Sequence, residues 1–335
     1  MTYGDRRVLI TGGLGFIGSN LALRMAGLGA RVTVVDSLTP GCGANYDNLK
    51  PAQDAIRVVE SDIGQTAGWE DAIAGADVIF NLAGEISHVE SMRNPRRDLE
   101  LNTVSQLGFL EAVCRLRPGV RVVYAGTRQV YGIPNYLPVD EMHPINPVDF
   151  NGIHKYAATM YHQLLARNGL LDAVVLRLTN VYGPRMSLTA AGQGFLPGFV
   201  RRLLAGEDLE VFGDGRQLRD PLYVDDAARA FELAGAARSL PSRAYNIGGP
   251  EALSLLQIAR TLAQASGGAE VRLRPFPAEH RVFDIGSYTT DSRRISEELG
   301  WKPAIRFEDG ASRTLHYYTS DRTAVVPPAP AAPHP

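Results

Sequence analysis

Val8-Leu-Ile-Thr-Gly-Gly-Leu-Gly-Phe-Ile-Gly-Ser-Asn20 is the stretch on which the fold turns. The apolar run ending at Thr11 predicts a strand buried on both faces. Gly12, Gly15 and Gly18 follow at the spacing G-x-x-G-x-x-G, and an apolar helical pattern through Leu21, Leu23 and Met25 begins at once. Glycine in such a turn lets the backbone approach a diphosphate, which then rests on the positive N-terminus of the helix. Eighteen residues beyond Gly18, Asp36 ends a second buried run, Arg31-Val-Thr-Val-Val-Asp36. A carboxylate there accepts both hydroxyls of an adenosine ribose and repels a 2′-phosphate, so the pattern predicts NAD rather than NADP.

At 335 residues the chain can bury a large core, as one bilobal unit or two domains. A formal net charge of -2 offers no electrostatic footprint for nucleic acid or for an anionic membrane. Cys42 and Cys114 are too few for a disulfide framework, which fits a reducing cytoplasm. The absence of a signal-like segment before the first strand, and of any membrane-length apolar run, points the same way. Lysine occurs only as Lys50, Lys155 and Lys302, so a lysine inside a motif stands out.

Strand and helix patterns alternate through the first half, which predicts an α/β fold with a doubly wound parallel sheet. A third strand is expected over 56–63, where Asp62 and Ile63 would meet an adenine ring, and a fourth over 77–84. The polar loop 85–94 carries Glu85, Ser87, His88 and Glu90, and a helix is expected over 98–117 with Asn102 near its start. A fifth strand over 120–127 leads to Val130-Tyr131-Gly132, a helix covers 151–168, and a sixth strand covers 173–178. Beyond Asn180 the elements shorten. Residues 1–179, rejoined by 221–248, form the expected nucleotide-binding domain, with 180–220 and 249–320 as a smaller α/β lobe. The Pro/Ala-rich stretch 321–335 is expected to be a disordered tail.

Together these landmarks resemble the extended short-chain dehydrogenase/reductase family, in particular its nucleotide-sugar epimerases and dehydratases. They are Thr11-Gly-Gly-Leu-Gly-Phe-Ile-Gly18, Asp36, Asp62-Ile63, Asn81-Leu-Ala-Gly84, Ala125-Gly-Thr127, Lys155, Leu178-Thr-Asn-Val-Tyr-Gly-Pro184 and Gly213-Asp-Gly with Arg219-Asp220. The resemblance covers roughly Arg7 to Tyr317. It implies that Phe16 and Ile17 meet the NAD pyrophosphate, that Ser37, Asn102 and Leu82 to Gly84 line the cofactor, and that Lys155 bonds the nicotinamide ribose. It also implies a nucleoside-diphosphate sugar held by Asn180, Phe195, Phe212, Arg219 and Arg281, with Tyr131 near the pocket, and a homodimer built on the helices 98–117 and 151–168. The two arginines suit a diphosphate as charge-assisted donors.

One departure decides the chemistry. The family's helix normally carries Tyr-x-x-x-Lys, one turn apart, the phenol taking a proton from the sugar as hydride leaves. Here the helix reads Phe150-Asn151-Gly-Ile-His-Lys155. Asparagine can orient a hydroxyl but cannot accept its proton. Thr127 matches the hydroxyl that bonds the reacting sugar oxygen, and His154, Glu85 and His88 are candidates for the missing base. The 4,6-dehydratases' Asp-Glu pair is replaced by Arg128 and Gln129, which argues against that reaction. No metal-ligand spacing is present. The residues therefore predict an NAD-dependent nucleotide-sugar epimerase acting at C4 through a transient keto-sugar. Alternatives are an impaired protein that only binds NAD and a nucleotide sugar, or a dehydratase or oxidoreductase with other proton chemistry.

Overall fold

A computed structural model describes residues 3–189, 194–276 and 285–320. The strands are β1 (Arg7–Thr11), β2 (Arg31–Asp36), β3 (Ile56–Glu60), β4 (Val78–Asn81), β5 (Arg121–Thr127), β6 (Asp172–Leu178), β7 (Val181–Tyr182), β8 (Leu209–Phe212), β9 (Leu218–Arg219), β10 (Leu222–Tyr223), β11 (Ala244–Ile247), β12 (Leu253–Ser254) and β13 (Val271–Arg274). The α-helices are α1 (Phe16–Gly27), α2 (Glu70–Gly75), α3 (His88–Arg93), α4 (Pro95–Leu99), α5 (Ser105–Leu116), α6 (Phe150–Arg167), α7 (Phe195–Leu204), α8 (Val224–Ala236), α9 (Leu255–Ala265), α10 (Arg293–Leu299) and α11 (Phe307–Ser320).

Seven strands form one sheet in the order β11-β6-β5-β4-β1-β2-β3, every neighbouring pair parallel. Alternate residues of a strand face opposite sides of a sheet, and here both sides are apolar. Val8 and Ile10 of β1 join Val78 and Phe80 of β4 in a layer with Leu21 and Met25 of α1 and Phe231 of α8. Leu9 and Ile79 point the other way, onto Ile73 of α2 and Phe109, Leu110 and Val113 of α5. That two-sided cover explains why the strand sequences read as unbroken apolar runs rather than alternating ones. A third cluster lies off the sheet, where Phe199 of α7, Leu209 and Val211 of β8, Ile258 and Leu262 of α9 and Phe307 and Leu315 of α11 pack together.

The strand order reverses between β1 and β4, so the crevice beyond their carboxyl ends is the place where a doubly wound sheet receives a ligand. The helix expected over 98–117 is broken at its start. Asn94 caps α4, whose N1 position is Pro95, and Glu100–Val104 forms a π-helical turn before α5. The wider turn re-aims Asn102 into the protein, where it is fully buried. Among the described residues no helix is long and apolar enough to cross a membrane.

Candidate active site

The glycine turn after β1 is shaped by contact. Gly12 has φ +67°, and a Cβ there would lie 2.8 Å from the backbone of Leu82 and Ala83, which follow β4. Any side chain would push the two crossing points of the sheet apart. Gly15 then caps α1 with no side-chain hydrogen bond, and the first turn of α1 holds no acidic residue. Its free N–H groups are thus available to an anion.

One cleft runs from this turn across the carboxyl edge of the sheet. Gly12, Gly15, Phe16, Ile17, Gly18, Asp36, Ser37, Asp62, Ile63, Leu82, Ala83 and Gly84 line one end. The Asp36 oxygens accept from the Leu14 and Leu38 N–H groups, each at 3.0 Å, which fixes the carboxylate at the cleft wall. Asp62 is held by the Gly64 N–H at 2.7 Å. Gly84, at φ +146°, crosses directly over the Asn102 amide and the Lys155 ammonium, each of which would stand within about 2.6 Å of a Cβ at that position. Both amide atoms of Asn102 are buried without a hydrogen-bond partner. Asn102 itself lies directly behind Gly84, whose backbone lines the cleft. The cradle of backbone, helix terminus and ribose-facing carboxylate fits NAD.

The middle of the cleft carries Thr127, Lys155, Asn151, Glu85, His88, Arg128, Gln129 and Asn180. Thr127 ends β5, and its hydroxyl accepts from the Gln129 N–H at 3.2 Å. Lys155 projects from α6 and is buried; loss of water pushes its pKa down to about 8, against the charges of Asp98 and Glu85. Asn151, four residues earlier on α6, is also buried, and its Nδ2 donates to the Glu85 carbonyl and to the Asp98 carboxylate, each at 2.9 Å. With the nitrogen committed, Oδ1 is left without a partner.

The three candidate bases part company here. The Glu85 carboxylate is spent inward, accepting from the Ile86 and Ser87 N–H groups and from the Cys42 thiol. His154 does not line the cleft; its Nδ1 faces the Asp98 carboxylate at 2.7 Å, and the ring lies beside Phe150. His88 does line it, with Nδ1 on Asp149 and Nε2 toward the Gln129 amide. Burial lifts the Asp149 carboxyl, but the His88 contact, the Gly152 N–H and the Arg128 charge outweigh it and hold the group below the usual carboxylate range. Asp149 also caps α6 by accepting from Gly152 N–H at 2.7 Å. The imidazole therefore stands between a charged carboxylate and the cavity, the geometry of an oriented base. Asp98 and Asp149 carried no sequence signal beyond being acids near helix starts; their roles emerge only from contacts across the fold.

A second hollow adjoins the cleft and shares His88, Arg128, Gln129, Asn180 and Gly194 with it. Phe195 and Arg219 line it, beside Phe276, whose ring lies 6.2 Å from that of Phe212. Tyr131, expected near the pocket, is wholly buried, donating to Asn246 Oδ1 at 2.7 Å and accepting from Arg177. Its hydroxyl is consumed by the core beneath the site. Arg281 and the stretch 321–335 lie outside the described residues.

Residues 8–248 match the NAD dependent epimerase/dehydratase family. The chain is 30% identical over 312 residues to a putative UDP-glucose 4-epimerase of Methanocaldococcus jannaschii, covering 92% of this chain and 97% of that protein. Among solved structures it is similar to a UDP-glucose 4-epimerase from Thermotoga maritima with UDP-glucose, at a TM-score of 0.82 and 30% identity over 93% and 98% of the two chains. It is likewise similar to a dTDP-glucose 4,6-dehydratase from Streptomyces venezuelae with NAD bound, at a TM-score of 0.82 and 29% identity over 95% and 98%. The fold, the cleft and the coverage agree: the chain belongs to the NAD-dependent epimerase/dehydratase family.

Proposed function

We propose that the protein is an NAD-dependent nucleotide-sugar epimerase acting at C4 through a transient keto-sugar, with His88 rather than a tyrosine handling the proton. The observation that carries this reading is the His88–Asp149 dyad opening on the same cleft as Thr127 and Lys155. Bound NAD supplies the acceptor and then the donor of the hydride. Thr127 holds the reacting sugar oxygen, and the sugar hydroxyl displaces the Gln129 amide from His88 Nε2 to pass its proton there. Asp149 keeps the imidazole in the tautomer with Nε2 free and offsets the charge it gains. Lys155 orients the nicotinamide ribose, and Asn151 Oδ1 accepts from a further sugar hydroxyl.

Residues 1–179 and 221–248 would hold the cofactor, and 180–220 with 249–320 the nucleoside diphosphate, Arg219 acting as a donor to it. Exposed Val104, Leu107, Ile153 and Leu164, on the π-helical turn, α5 and α6, supply an apolar face for a homodimer. The relatives named above, an epimerase and a dehydratase among them, support the substrate class more firmly than the carbon attacked. The replacement of the dehydratases' Asp-Glu by Arg128 and Gln129 favours epimerisation, since neither residue is a carboxyl acid or base. The test is product analysis by chromatography after incubating the NAD-loaded protein with a panel of nucleotide sugars: formation of the C4 epimer supports the reading, and a 4-keto-6-deoxy product replaces it with elimination.

A further inference from the structure

Among the described residues, Arg128 is the cation at the centre of the cleft that the chemistry above leaves unused. It follows Thr127 directly, and its side chain lines both the cofactor cleft and the adjoining hollow. Among the described residues its hydrogen bonding is a single contact, from Nη2 to Asn180 Oδ1 at 3.3 Å, with the guanidinium stacked 4.8 Å from the centre of the Tyr288 ring. Two carboxylates are near enough to feel its charge, and both are committed elsewhere. Asp220 accepts from the Thr179 hydroxyl at 2.6 Å and the Thr290 N–H at 2.9 Å, and Asp149 holds His88 and the Gly152 N–H. Neither closes an ion pair with Arg128. Among the described residues this half-buried guanidinium has no ion-pair partner, and its fork matches the two oxygens of a carboxylate. The cavity it faces is where the sugar ring must lie if Thr127 is to reach the reacting oxygen.

We infer that Arg128 recognises a carboxylate carried on the sugar ring, so that the substrate is a nucleoside-diphosphate uronic acid rather than a neutral hexose. This rests on the nucleotide-sugar reading and sharpens its substrate class. The same guanidinium could instead take a phosphate oxygen of the diphosphate, and the two sources give different binding patterns. Because Arg219 already lines the neighbouring hollow, while Arg128 adjoins Thr127, the ring carboxylate is favoured.

The experiment is calorimetric titration of the NAD-loaded protein and of Arg128→Gln with UDP, UDP-glucose and UDP-glucuronate, and with the same series on dTDP. The wild type is expected to bind the uronate about 10–100-fold tighter than the hexose, the worth of a charged hydrogen-bonded pair. Arg128→Gln should erase that preference while leaving the affinity for the bare diphosphate within about twofold. Arg128→Lys, which keeps the charge and loses the fork, should retain part of the preference; it serves as the second variant if the glutamine form does not retain NAD. Equal wild-type affinity for hexose and uronate overturns the assignment and leaves the nucleotide-sugar reading standing. A loss of diphosphate affinity in Arg128→Gln as large as the loss of uronate affinity also overturns it, moving the guanidinium to the phosphates. Failure of the wild type to bind any nucleotide in either series ends both.

Discussion

Asn151 and Asp98 are joined by a buried hydrogen bond of 2.9 Å from the amide Nδ2 to the carboxylate, and this bond decides what α6 can offer the substrate. The resemblance read from the sequence gives this position to the family's phenol. With Nδ2 shared between Asp98 and the Glu85 carbonyl, the amide is fixed with its oxygen as the free atom. Asn151→Leu strips a donor from the buried Glu85 carbonyl and from one Asp98 oxygen, the other oxygen keeping His154, so unfolding free energy should fall by about 1–3 kcal/mol in urea titration. Asn151→Tyr displaces the same contacts and is expected to lower epimerase turnover by about tenfold or more through misplacement of the site. A gain of activity in the tyrosine variant would show instead that the site is merely an impaired version of the family's usual one.

The dyad makes a separate prediction. His88→Gln should lower kcat by about 10²–10⁴-fold, the usual worth of a general base. Asp149→Asn keeps an oxygen for the Gly152 N–H, so α6 stays capped, yet the imidazole loses the partner that sets its tautomer. Its kcat should fall with the melting temperature and NAD content little changed. His154→Ala, on a side chain turned away from the cleft toward Asp98, should affect stability more than turnover.

Lys155 ties cofactor-free stability to alkaline pH. Burial brings its pKa down from 10.5 to about 8 in the folded chain. Between those values the unfolded chain binds the proton and the folded chain does not, so stability rises with pH across that window, and the full cost of burying the charge is borne below pH 8. The difference amounts to at most about 3 kcal/mol. Denaturant midpoints compared between wild type and Lys155→Met should show this rising slope in the wild type alone; parallel curves would contradict it.

Tyr131 separates architecture from binding. Its hydroxyl joins Arg177 to Asn246 in the core, away from both hollows. Tyr131→Phe strands those partners and should cost about 1–3 kcal/mol of stability while leaving KM for the sugar nucleotide unchanged. A raised KM with unchanged stability would put the hydroxyl back at the substrate.

Much of the fold was legible because it is written in local spacing. The run Val8 to Thr11, the glycine turn and Asp36 each report a strand end, a helix start or a buried edge within a few residues. The register of β1 on β4 then follows, and the cofactor crevice with it. The side-chain destinations were less legible. Asn102 and Tyr131 occupy positions that look exposed in one dimension, but both are buried, one on a π-helical turn behind Gly84 and the other in a core hydrogen bond. His154 stands three residues from Asn151, yet both are claimed by Asp98, more than fifty residues away in the chain. Which of several polar groups faces a cavity is settled by such distant partners, and spacing does not encode them.

The most direct measurement follows the isotope at C4. Wild-type protein loaded with NAD would be given a nucleotide sugar, in hexose and uronate forms, carrying deuterium at C4, and both epimers analysed by NMR. Removal and return of hydride at one carbon predicts two C4 epimers that each keep the deuterium, with none taken up from deuterated solvent in the reverse labelling. Loss of the label, solvent deuterium at a neighbouring carbon, or bound NAD with no second epimer would contradict it.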